Sequence, residues 1–270
     1  MERFDHDRVK SLEKGLNLLL LLGQQKNAMS LDLITQASKL NKTTCFRLLK
    51  TLQNLGFVEQ EPGSKNYRLG SQVISLGAAA TKGLPLRSLA LPYMQKLKDL
   101  TQETVNLSIL HGTEIVFIER LEASHIINTH HNVGERLPAY CTCMGKAIMA
   151  YLPREKLAPI LESIRFEPIT AKTIKSREAF MEELKRVRRE GLAFNLEELE
   201  QGLCAVSAPL LDYSGEAVAA LNVAFPLTRH DLEEALNRIA PQVKSAAEEI
   251  SKILGFSPRA LNLERAGSGA

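Results

Sequence analysis

No apolar run in the 270-residue sequence is long enough to span a bilayer. The densest leucine stretch, Leu18–Leu22, lies between Lys14 and Lys26, far short of the ~20 residues a helical span needs. The sequence does not open on a basic segment, an apolar segment and a small-residue cleavage site, so no leader is expected and a cytoplasmic location is. Cysteine is scarce: the 4 residues form no disulfide-scaffold pattern, which fits a reducing compartment. Cys141-x-Cys143 has no second pair to complete a zinc site, and adjacent His130 and His131 would point to opposite faces of a strand. No metal and no cofactor are expected. Nor does any histidine stand at a spacing that would make Cys143 or Cys204 a nucleophile.

One absence is local and informative. No carboxylate occurs between Asp32 and Glu59. Within that window, Leu31–Leu55 reads as two short helices joined by a tight turn. Stepping about 100° per residue from Thr43 gathers Thr43, Phe46, Arg47, Lys50 and Asn54 on one side. Cys45, Leu48, Leu49, Leu52 and Leu55 gather on the other, so the second helix is amphipathic. A solvated helix face ordinarily mixes both charge signs. This one offers cations, hydroxyls, an amide and an aromatic, which suit phosphates, guanine edges and thymine methyls.

Gly56 stops this helix, and Phe57–Gln60 and Tyr67–Leu69 follow as short strands around the tip Pro62-Gly63-Ser64-Lys65-Asn66. Helix, helix and hairpin make a winged helix-turn-helix, with the helix-turn-helix at Leu31–Lys50. Lys42, Thr43, Thr44, Phe46, Arg47 and Lys50 are the candidate DNA contacts on the helix, and Lys65 and Arg68 those on the wing. The charge supports this placement: residues 1–85 hold 12 Lys+Arg against 7 Asp+Glu, and the remainder 22 against 24.

Before this unit, Val9–Leu22 reads as its first helix, and Ser30 caps the second. After it, Ser71–Lys82 is a helix rich in small residues, broken by Gly83-Leu84-Pro85 before Leu86–Gln102. From Thr104 the period changes to two. Strands are expected over Val105–Leu110, Glu114–Leu121, His125–His131, Leu203–Leu211 and Glu216–Phe225. Helices are expected over Cys141–Leu152, Pro153–Ile164, Ser176–Glu190, and from a Thr228 cap to about Leu254. The fold class is α+β: residues 9–71 a winged helix-turn-helix, 72–86 a linker helix, 87–256 an antiparallel sheet with helices on one side, and 257–270 a disordered tail.

With these pieces in place the sequence resembles the IclR family of bacterial transcriptional regulators. The segments that carry the resemblance are SLEKGLNLL, TTCFRLLKTLQNLGFVEQ, NYRLG, GERLPAYCTCMGKAIMAYLP and GLAFNLEELEQGLCAVSAPLLDYSGEAVAALNVAFP, in family order. It implies a GAF-like effector-binding domain after the winged helix, and a homodimer or homotetramer on palindromic double-stranded operator DNA. It also implies pocket positions: the Thr142–Lys146 loop with Cys143 and Met144, Leu137 at the apolar end, and Asn195, Ala205, Ser207, Asn222 and Ala224.

Two departures are visible. Lys39 stands where relatives often have Gly, and either strains the turn or adds a phosphate contact; Asn41 follows in the turn. Cys204-Ala205 replaces a common Arg-Cys or Arg-Ser pair. No Arg or Lys is seen to point into the pocket, except Lys146, whose ammonium is free to lie outside. The expected effector is therefore a small organic acid, and the segments around Cys141 and Cys204 look closest to regulators of aromatic-acid catabolism. The competing readings are a thiol redox switch at Cys141/Cys143 and an enzyme carrying a basic domain.

Overall fold

The computed structural model describes residues 9–257 apart from 24, 26, 83, 84, 124–130 and 231. The chain divides after Leu84 into two compact units. The expected strand at His125–His131 and the expected disordered tail fall almost wholly outside the described residues.

The first unit contains helices α1 (Lys10–Gly23), α2 (Leu31–Ser38) and α3 (Lys42–Asn54), strands β1 (Val58–Gln60) and β2 (Tyr67–Leu69), and helix α4 (Ser71–Lys82). Its core is Leu18, Leu22, Ile34, Cys45, Leu49, Val58 and Tyr67. The Ser30 hydroxyl caps α2 by accepting from the Leu33 amide at 3.4 Å. Asn41 caps α3, its carbonyl oxygen accepting from the Thr44 amide at 2.8 Å. Between them Lys39 is left-handed, with φ 57°, so a lysine occupies a backbone conformation that favours glycine. Antiparallel pairing sets Glu59 opposite Arg68, and Met29 bridges Tyr67 in both directions at 2.9 and 2.7 Å. Gly70 is obligatory here: a Cβ on it would lie 2.3 Å from the Gly56 carbonyl oxygen.

The second unit begins with α5 (Pro85–Thr101). Strands β3 (Thr104–His111), β4 (Glu114–Leu121) and β5 (Arg136–Pro138) follow, then a 3-10 turn at Ala139–Cys141. Helices α6 (Cys143–Met149), α7 (Arg154–Ser163) and α8 (Arg177–Glu190) precede strands β6 (Ala193–Leu196), β7 (Leu203–Leu211) and β8 (Ala217–Pro226) and helix α9 (Leu232–Ile253). The six strands form one antiparallel sheet in the order β5-β4-β3-β8-β7-β6.

Several expectations need correction. Strands β5 and β6 were not anticipated. Helix α6 starts at Cys143 after the 3-10 turn, and α9 starts at Leu232, beyond Thr228. The sheet is also covered on both faces. Strand β7 is buried at every position from Cys204 to Leu211, where a one-sided sheet would alternate. One core joins α6, α7 and α8 to Phe117, Ala205 and Ala220. Val105, Leu107, Val206, Leu221, Val223 and Phe225 are buried outside that core, on the alternate positions, and α5 and α9 pack over them.

Candidate functional site: recognition helix and effector pocket

Helix α3 is split as its periodicity requires. Cys45 and Leu49 are buried, while Lys42, Thr43, Phe46, Arg47, Lys50 and Asn54 are exposed and Thr44 is half-buried. Phe46 leaves 50% of its surface in solvent, unusual for an aromatic without a partner surface. Leu55, expected on the buried side, is 60% exposed. The face is not entirely free of acid, since Asp32 on α2 reaches Lys42 at 2.6 Å. On the wing, Arg68 pairs with Glu59 at 3.4 Å. Lys65 has φ 57° and makes no ion pair among the described residues; its carbonyl accepts from the Gln60 amide at 2.8 Å. On α3 and the wing, the exposed cations that make no ion pair among the described residues are therefore Arg47, Lys50 and Lys65.

The pocket lies between the inner face of the sheet and the start of α6. Seven expected positions, Leu137, Cys143, Met144, Asn195, Ala205, Asn222 and Ala224, line one cavity. Ser207 does not: it is fully buried and donates to the Leu221 carbonyl at 2.9 Å. Asn195 lines the cavity with its amide already used, donating to the Cys141 carbonyl at 2.9 Å and accepting from the Glu198 amide at 2.9 Å. The cavity also contains Asn106, Phe117, Arg120 and His131. Arg120 corrects the expectation that no arginine points inward; its side chain is 4% exposed. Register explains it. Ser207 faces Asn222, Asn222 faces Asn106, and Asn106 faces Arg120 across four neighbouring strands. Directly opposed residues share a sheet face, so the four make one polar row. Arg120 Nη1 donates to Asn106 Oδ1 at 3.0 Å, and Asn106 Nδ2 to Asn222 Oδ1 at 2.8 Å. Asn222 Nδ2 approaches Cys143 Sγ at 3.6 Å. His131 stacks on Phe117 with centroids 5.6 Å apart and contacts Glu135 at 2.7 Å. The cavity is about 40 Å³, far below the roughly 300–1,000 Å³ of pockets that hold small molecules.

The model of the IclR helix-turn-helix domain matches residues 11–62, and that of the bacterial transcriptional regulator IclR C-terminal domain matches residues 78–252. The chain is 32% identical over 250 residues to the HTH-type transcriptional regulator KdgR of Escherichia coli K12, covering 93% of this chain and 94% of that one. The chain belongs to the IclR family. Like its relatives, this IclR-family protein is a DNA-binding transcriptional regulator and not an enzyme. Among solved structures, Thermotoga maritima IclR superposes with a TM-score of 0.74 at 27% identity, covering 92% of this chain and all of that one. An IclR homologue of Microbacterium hydrocarbonoxydans complexed with 4-hydroxybenzoate shares the fold, with a TM-score of 0.78 at 22% identity, over 90% of this chain and 98% of that one.

In this IclR-family chain nothing about the thiols favours redox sensing. All 4 cysteines are buried, and burial pushes Cys141 up to about 12 and Cys143 and Cys204 up to about 11. A buried neutral thiol is inert because the thiolate is the reactive form. Lys146 is buried but does not line the cavity: its side chain is 1% exposed and its ammonium lies 2.5 Å from Glu198 and 3.2 Å from Glu183. Arg186 holds Glu183 with two 2.8 Å hydrogen bonds. Desolvation would raise Glu183, but Arg186 and Lys146 outweigh it and hold its carboxyl below the usual range. Desolvation dominates at Glu198 and raises it despite Lys146. Among the described residues no helix is long and apolar enough to cross a membrane.

Proposed function

We propose that this regulator binds palindromic operator DNA in the cytoplasm as a dimer or pair of dimers, and that a small organic acid in the sheet–α6 pocket sets its occupancy. The observation that carries the effector reading is the pocket's make-up. Leu137, Met144, Leu199, Leu203, Ala205 and Ala224 offer apolar wall, while the buried polar row offers directional hydrogen bonding to one end of a ligand. A flat apolar body with one carboxylate suits that division better than a polyol, whose hydroxyls would meet side chains without donors. The Microbacterium homologue is complexed with an aromatic acid, 4-hydroxybenzoate. For DNA, Arg47 and Lys50 read the groove while Lys65 on the wing meets the backbone.

A melting screen of small organic acids, repeated with operator DNA present, tests the effector reading. An acid that stabilises the protein and changes operator affinity is the expected result. Ala224→Leu should fill the cavity and abolish that response while operator binding stays nearly unchanged. A full response in this variant, or a neutral sugar as the best ligand, would place the pocket elsewhere. The redox reading finds no favouring observation in thiols this deeply buried.

A further inference from the structure

We propose that the cleft at the open end of β7, between the end of α8 and the second half of α9, is a second ligand site. Its ligand is an organic anion with an apolar body, the head a carboxylate or a phosphate. The cleft lies wholly within the second unit and shares no lining residue with the effector cavity. The inference therefore stands apart from the effector-pocket reading.

Unequal strand lengths create the cleft. Strand β6 pairs with β7 only as far as Ala193 opposite Ser207, while β7 continues beside β8 to Leu211. Past Ser207 the outer edge of β7 has no strand next to it. Ala208, Pro209 and Leu211 line this stretch, with Ala247 and Phe256 adding apolar wall. The space is about 580 Å³, within the roughly 300–1,000 Å³ of small-molecule sites. A peptide strand fits this edge poorly. Pro209 has no N–H to offer it, and the Leu211 N–H already donates to Ser251 Oγ at 2.9 Å.

The walls select the charge. Lys244 Nζ donates to the Glu190 carbonyl and Arg188 Nη1 to the Ala150 carbonyl, each at 2.9 Å. The Arg188 guanidinium also lies over the Tyr151 ring, 5.1 Å from its centroid. Neither cation makes an ion pair among the described residues. An ammonium has three donors and a guanidinium five, so both keep donors for a ligand. The carboxylates of the cleft leave them uncancelled: Glu190 is held by Arg186 and Arg189, and Glu248 is exposed on α9. The negative end of α8 accounts for part of the attraction. It amounts to about half a unit charge, and two full cations exceed it.

Gly191 keeps room beside these groups. It ends α8 with φ 74°, and a Cβ on it would lie 3.6 Å from Lys244 Nζ and 3.9 Å from the Tyr151 hydroxyl. This corner stays open to an anionic head, which meets the ammonium there. The apolar body then follows Ala208 to Leu211, a path of about 10 Å at the rise of a strand.

The test uses the full chain with octanoate, octyl phosphate and neutral octanamide as probes, and reads binding by calorimetric titration. The variants are Lys244→Gln, Arg188→Gln, Glu248→Gln and Ala224→Leu, the last of which alters only the effector cavity. At least one anion, and not the amide, should bind the natural protein, and the tighter anion assigns the head. Lys244→Gln and Arg188→Gln should each weaken that anion about 10- to 100-fold, as loss of a charged hydrogen-bond partner implies. Glu248→Gln removes a like charge and should tighten it, while Ala224→Leu should leave it unchanged. Glutamine at 244 still has an N–H for the Glu190 carbonyl, and melting within a few degrees of the natural protein checks that the fold persists. Should Lys244→Gln melt early, Arg188→Gln and the exposed Glu248→Gln decide the question. Unchanged affinity in the charge variants, or a loss confined to Ala224→Leu, would overturn the site. Equal binding of octanamide would overturn the selection for charge. Binding of neither anion would overturn the proposal outright.

Discussion

Arg47 and Lys65 are both exposed cations with no carboxylate partner among the described residues, yet they should fail differently. Arg47 sits on the α3 face, and Arg47→Ala should cost about 1–3 kcal/mol at one operator position if it reads a guanine edge. Lys65 sits on the wing, and Lys65→Ala should weaken all sequences alike and lower the salt slope by about one. Titrating binding on operator and unrelated duplex over a salt series separates the two. Normal operator binding by both variants would contradict the helix-turn-helix contacts. The thiols give a second residue-scale prediction. At pH 8 an aromatic disulfide reagent should find almost no reactive thiol in the native protein and all 4 after denaturation. Rapid native reaction at Cys141 or Cys143 would revive the redox alternative. At this scale the sequence reveals what a single helix can reveal. The α3 face follows from period alone, whereas Arg120 sits in a charged stretch, IERLE, that looks solvated. Its burial depends on facing Asn106 across the sheet, a pairing that no local period encodes.

At the scale of elements, close approach and buried charge make the predictions. A Cβ on Gly145 would stand 2.1 Å from the Ala139 carbonyl oxygen, so Gly145→Ala must push α6 off the 3-10 turn. Overpacking of this kind costs about 1–3 kcal/mol, read as a lower calorimetric transition for the second unit with the first unchanged. Lys146→Met should cost about 3–5 kcal/mol at neutral pH, because Glu198 would lose the cation it pairs with, while Glu183 keeps Arg186. The sign with pH follows from Glu198. Its folded pKa is raised, so the penalty is absent below the unfolded-state pKa, grows as pH rises from there and is complete above the folded pKa. Removing Lys146 raises Glu198 further, so the variant's deficit should shrink on acidification. A deficit that grows instead would mean the ammonium is not what Glu198 depends on. Elements were legible in proportion to length. Helix α8 shows its Ser176 cap and Gly191 stop in the sequence, and β7 and β8 are long enough to display burial. Strands β5 and β6, with 3 and 4 residues, are too short to display a period.

For the whole molecule, oligomerisation is the leading expectation. Val9, just before α1, and Leu12, Leu16 and Leu20 on it recur at helical spacing and are 51–65% exposed, and Ile74 and Leu76 are 75% and 60% exposed on α4. Apolar surface in such a stripe marks a protein interface more often than free surface. Light scattering should therefore report at least twice the 29.9 kDa chain mass. Leu12→Glu with Leu20→Glu should shift that mass toward one chain and weaken operator binding together. A monomer that still holds a full palindrome tightly would contradict the dimer. The Gly83-Leu84-Pro85 break in the sequence falls where the chain divides into two units, while an effector-binding role for the second is implied by the family resemblance alone. The covering of both sheet faces was not readable, because it depends on where α5 and α9 return.

The size of the effector cavity has a kinetic consequence. At about 40 Å³ it is far below the roughly 300–1,000 Å³ of pockets that hold small molecules, so an organic acid bound there would need the walls to part. Were one molecule in a hundred open, apparent affinity would fall about 100-fold below that of the open form. Uptake would then speed up with effector concentration only until opening itself became limiting. Substitutions that prop the cavity ajar should raise both the ceiling rate and the apparent affinity without adding a contact. Sensitivity to the effector would in that way be set by how often the walls part, as much as by what they touch.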